Sequence, residues 1–187
     1  MKRMLLAALA LALTACNQTE APPAPDETLA EDGCPAQVAT TWLAGGQEFA
    51  VSANTTGPSC AEATANLEVR APNGDLALAF SAETQHVMGL SGVTETEAMQ
   101  AALAAWVEAA SERQRTTGNL PAWAEGAAQP GGEFPFYPQE GAERANYESL
   151  RAENLPLFCV IQGMESEACH VLRGTELHLI GVQTFPG

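Results

Sequence analysis

Positive charge is scarce in this chain. Lys2 is the only lysine, and the other basic residues are seven arginines, against 23 Asp and Glu. The formal net charge of −15 repels phosphate backbones, which excludes nucleic acid as an expected partner. No apolar run reaches the roughly 18 residues that a membrane-spanning helix needs. There is no phosphate-cradling glycine loop, no dinucleotide fingerprint and no CxxC pair of the kind that binds zinc. What is present is a 187-residue chain with 46% apolar and 17% charged residues. That supplies a packed core and argues against an intrinsically disordered chain.

Lys2 and Arg3 precede a short apolar stretch, Met4 to Leu13, followed by Leu13-Thr14-Ala15-Cys16. A charged start, a short apolar core and small residues before a cut site describe a secretory signal rather than a span. The last four residues resemble the lipobox of bacterial lipoproteins. The resemblance covers residues 1–16 only and implies cleavage after residue 15, with diacylglycerol on the Cys16 thiol and an acylated amino group. Asn17 stands where such proteins carry Asp when they are retained at the inner membrane, so the implied destination is the periplasm-facing leaflet of the outer membrane. More than one acyl chain on Cys16 makes the anchoring stable.

Loss of Lys2 and Arg3 would leave six basic residues against 23 acidic ones, a net charge of −17. Asn17 to Gly33 is rich in Pro, Ala and acids and has no aromatic residue, so 16–33 reads as a lipidated cysteine and a solvated tether. Near polyproline geometry it would reach on the order of 50 Å from the bilayer. Residues 34–187 are then expected to form a single globular domain.

Cys34, Cys60, Cys159 and Cys169 remain, an even number in an exported chain, which points to two disulfides. Four cysteines allow three connectivities; the pairing local in sequence, Cys34–Cys60 and Cys159–Cys169, is favoured.

An extended segment opens at Phe49. Asn73-Gly74 lies between two alternating runs and predicts a type I′ hairpin that sets Leu67, Val69 and Ala71 opposite Phe80, Leu78 and Leu76. Thr94 with Glu97 has the capping-box pattern. Met99, Leu103, Trp106, Val107 and Ala110 form one apolar stripe, predicting a helix to about Arg113. A weaker helical pattern covers 142–152. Strand-like runs follow at 157–162, 169–172 and 177–185, with Gly174-Thr175 as a type II′ turn. The expected class is α+β: a mostly antiparallel sheet from N-terminal and C-terminal strands, with one long amphipathic helix and a second, shorter helix between them.

The segment 116–139 holds Trp123, Phe134, Phe136 and Tyr137. It is long for a connection, and two readings stay open: a binding surface built on aromatic anchors, or rings that complete the core. His170 and His178 flank the second turn, but an even-numbered turn points them to opposite faces, so no metal and no other cofactor is expected. Met164 with His170 is a thin soft-metal set. Gly89-Leu90-Ser91-Gly92 resembles a nucleophile elbow with the wrong spacing. Glu165 and Glu167 around Ser166 read as a solvated hairpin tip. No catalytic residue is identified. The expectation is a non-enzymatic binding or accessory module of the cell envelope, anchored to the membrane by its lipid and facing an envelope protein or cell-wall component. An inhibitor of a cationic hydrolase such as lysozyme, resembling the small acidic lipoprotein inhibitors in outline only, and an envelope hydrolase without a recognisable motif are the alternatives.

Overall fold

The computed structural model describes residues 33–112, 115–131 and 134–185. Cys16, the signal segment and all of the tether except Gly33 lie outside them, as does Arg113. Among the described residues the fold is α+β, with two α-helices and two four-stranded antiparallel sheets. The strands at the two ends of the chain therefore build separate sheets rather than one.

The first sheet runs in chain order: β1 (Gln37–Ala44), β2 (Gln47–Thr56), β3 (Thr64–Arg70) and β4 (Leu76–Glu83). The sequence pattern opens the sheet at Phe49 and misses β1. Its signal is Gly45-Gly46, both with positive φ (57° and 76°), which is what a two-residue type I′ turn requires. The β3–β4 hairpin keeps the expected register through Val69↔Leu78, then slips to Arg70↔Leu76. Pro72 is the reason. It occupies the second position of a type I turn closed by Gly74 N–H donating to Ala71 C=O at 2.8 Å, and only Gly74 has positive φ. The slip leaves Leu76 exposed instead of facing Ala71.

The helix α1 (Thr96–Ala110) starts one residue later than expected. Its N-cap is Glu95, and no side chain caps it, so the Thr94–Glu97 capping box does not form. The apolar stripe is nevertheless the buried face, with Met99, Leu103, Trp106, Val107 and Ala110 all buried. Trp106 Nε1 donates to the Ile161 carbonyl at 2.9 Å.

The second sheet has the order β5 (Phe136–Pro138), β8 (Glu176–Thr184), β7 (Ser166–Arg173) and β6 (Leu157–Ile161). At the β7–β8 turn Leu172 faces Leu177 and Arg173 faces Glu176, with Gly174 alone at positive φ, as expected for a type II′ turn. One core joins the first sheet, α1 and Phe158, Val160, Leu172 and Leu177 of the second sheet. Trp42 sits at its centre, against Phe49 (5.4 Å) and Phe158 (5.2 Å). The other face of the second sheet packs on α2 (Arg144–Glu153) in a smaller cluster with Leu120, Phe136, Tyr147, Leu157 and Val171. Both disulfides have the sequence-local pairing. Cys34–Cys60 ties the entry of β1 to the β2–β3 connection, and Cys159–Cys169 links paired positions of β6 and β7.

Gly181 allows β5 to pack closely on β8. A Cβ there would collide with the Tyr137 carbonyl and come within 2.7 Å of the Phe136 ring, at a φ of +156°. Gly181→Ala is therefore expected to destabilise the fold by about 1–3 kcal/mol, read as a lower denaturant midpoint. An unchanged midpoint would show that β5 is not held against β8.

Candidate functional site

The four loop aromatics do not form one surface. Phe136 lies on β5 opposite Gln183 and is fully buried, while its neighbour Tyr137 is 45% exposed. Phe134 is half-buried. Trp123 is half-buried against Tyr147, edge to face at 5.7 Å. The anchor set Trp123, Phe134, Phe136 and Tyr137 is thus corrected for Phe136: strand pairing with β8 turns that ring into the core.

The loop is bolted to α2 rather than displayed. Tyr147 Oη donates to the Pro121 carbonyl at 2.8 Å, and Arg151 Nε to Leu120 C=O at 2.8 Å. Glu148 accepts the Trp123 N–H at 2.6 Å and, on its other oxygen, Arg151 Nη1 at 2.6 Å. These bonds favour the charged carboxylate, first through the Trp123 backbone N–H and then through Arg151, and hold Glu148 below the ordinary carboxylate range. Burial pushes the Tyr147 hydroxyl well above its usual value. A carboxylate with a depressed folded pKa contributes stability that is complete above the unfolded value, about 4.3, and is lost as pH falls through the folded one. Glu148→Gln should therefore flatten the loss of stability below about pH 4.3 in stepped-pH urea unfolding. Parallel curves for parent and variant would remove Glu148 from the acid response.

Glu167 is another correction. It is buried rather than at a solvated tip, because β7 begins at Ser166 and turns Glu167 toward the same face as Cys169 and Val171. Arg115 binds it through both guanidinium nitrogens, Nη1 to Oε2 at 2.8 Å. Glu165 stays exposed. Cys159, Cys169 and Glu167 offer ligand atoms within 4.8 Å of one another, but both sulfurs are spent in a disulfide and the carboxylate is held by Arg115. That donor set does not fit a metal ion.

The histidines stay apart. His170 pairs with Leu179 and His178 with Val171, on opposite faces. His170 is buried with Nδ1 unpartnered, and burial lowers its pKa against the pull of the Phe158 and Ala168 backbone. Met164 is exposed, so it does not share the His170 environment. His86 and His178 are exposed beside Glu83 (3.1 Å) and Glu176 (3.3 Å). Ser91 lies in a turn of the 12-residue connection from β4 to α1, its N–H bonded to Val87 C=O, not at a sharp strand-to-helix elbow. A cleft of about 480 Å³ between α2 and the β7–β8 hairpin is lined by Glu153, Arg173 and His178, and Arg173 is already paired with Glu153 at 2.9 Å.

β1 carries a feature that its local sequence does not announce. A groove of about 560 Å³ runs between this outermost strand and α1. The register fixes which backbone groups face it. Thr55 N–H donates to Ala36 C=O at 2.9 Å, so Ala36 and the positions two apart from it, Val38, Thr40, Trp42 and Ala44, pair with β2. Gln37, Ala39, Thr41 and Leu43 must then aim N–H and C=O at the free edge. Gln37 confirms the parity: its N–H donates to Gln100 Oε1 at 2.9 Å, and its C=O accepts Gln100 Nε2. Among the described residues, Ala39 and Thr41 have no such partner. One helical turn past Gln100 stands the small Ala104, followed by Glu108 and Glu112, both exposed.

No family model, curated protein or solved structure matches this chain.

Proposed function

We propose that the protein is a non-enzymatic binding module of the cell envelope, lipidated at Cys16, tethered by residues 17–33 to the outer membrane and facing the periplasm. The anchoring half of this reading rests on the lipobox resemblance. The binding half rests on one observation: an open backbone edge at Ala39 and Thr41 that borders a groove against α1. A row of unpaired N–H and C=O groups is a template for another strand unless it is covered.

Inhibition of a cationic envelope hydrolase such as lysozyme is a second reading. The charge of −17 on the mature chain and the carboxylates beside the groove favour it, because opposite charge speeds encounter.

The test is cross-linking of the lipidated chain in its own envelope, followed by mass spectrometry, with Thr41→Pro alongside. Proline at an edge position removes a donor without disturbing the β2 ladder. One partner captured by the parent and lost in Thr41→Pro is expected. Capture of no partner, together with turnover of cell-wall material by the purified chain, would replace the binding module with an enzyme.

A further inference from the structure

We propose that the β1–α1 groove takes an extended, cationic segment of a partner protein, which adds as a fifth strand along Ala39 and Thr41 and sets basic side chains against Glu108 and Glu112. This rests on the binding-module reading and names the chemistry of its partner.

Gln100 is the structural precedent within the molecule. Its amide donates to and accepts from the Gln37 backbone, which is what a residue of a neighbouring strand would do. It fills the first free-edge position and leaves the next two open. An entering strand continues the pattern that Gln100 begins, and Ala104 leaves room for it below. Ala39 and Thr41 offer two donors and two acceptors, so the main chain supplies affinity for any extended segment.

Charge chooses among extended segments. Glu108 on α1 and Glu112 just past its end both line the groove, in a chain with few cations. The tether is an unsuitable occupant: Glu20, Asp26, Glu27, Glu31 and Asp32 make it acidic, and residues 17–33 hold no basic residue. A second copy brings the same negative charge to the same rim. An alternating strand whose rim-facing side chains are Lys or Arg meets both demands.

The probe is a short peptide of alternating lysine and valine, titrated into the full chain while backbone amides are followed by NMR. Its glutamate–valine counterpart is the control. Binding with slowed exchange at Ala39 and Thr41 is expected, together with weakening as salt rises. Glu108→Gln/Glu112→Gln should raise the Kd roughly fivefold, and the exposed pair Glu140→Gln/Glu143→Gln should leave it unchanged. Equal affinity for the two peptides, no binding, protection at Ala79 and Ser81 of β4 instead, or self-association through β1 would each overturn the proposal. If the peptide fails here while envelope cross-linking still captures a partner that Thr41→Pro loses, the cationic strand is lost and the binding-module reading survives. If no partner is captured in the envelope, that reading falls on its own.

Discussion

Phe136→Ala is expected to lower the unfolding free energy by about 3–5 kcal/mol, whereas Tyr137→Ala should change it by about 0.5 kcal/mol or less. The two rings are adjacent in sequence and lie on opposite faces of β5. Phe136 is fully enclosed, 5.7 Å from Tyr147 and against the face of β8 that Gly181 keeps open, so truncation leaves a cavity lined by rigid groups. Tyr137 is 45% exposed and loses little. Denaturant unfolding of both variants checks this. Similar small losses for the two would return Phe136 to the surface and restore the aromatic loop as a binding site.

Arg115→Ala should cost a comparable amount, about 3–5 kcal/mol, since it leaves Glu167 buried without its counter-charge. Arg115 also donates to Gln183 at 3.2 Å, and its carbonyl accepts the Leu157 N–H at 2.9 Å, so the side chain and the backbone both fasten the segment after α1 to the second sheet. Replacing both ions, as in Arg115→Met/Glu167→Leu, removes the desolvation cost with the pair and should recover most of the loss. A double variant as unstable as Arg115→Ala would show that the hydrogen bonds to the sheet, not the buried charge, carry the effect.

These two sites mark where the sequence stops being legible. Local patterns read well. The stripe from Met99 to Ala110 sets the buried face of α1, Gly174-Thr175 sets the turn that pairs Leu172 with Leu177, and two cysteine pairs close as their spacing favours. Patterns that depend on distant partners do not. Arg115 and Glu167 are 52 positions apart, and nothing in either neighbourhood signals the other. Whether Phe136 or Tyr137 points inward follows from β5 pairing with β8, more than 40 residues later. In β1, Thr40 stands at an inward position yet is exposed, so the apolar alternation that announces a half-buried strand is broken. The Gly45-Gly46 turn was the remaining signal. The groove was illegible for the same reason, since a free edge exists only once the strand order places β1 outermost.

The most direct measurement is residue-resolved amide exchange along β1, in the full chain held in its native membranes and again after a high-salt wash. The bonds from Val38 and Thr40 to β2 should keep those amides slow in both states. Ala39 and Thr41 should exchange slowly in the membranes, where a partner strand covers them, and fast after the wash, when salt has weakened its hold. Ala39 and Thr41 amides that exchange fast in both states would mean that nothing pairs with this edge, and the binding module built on it would fail.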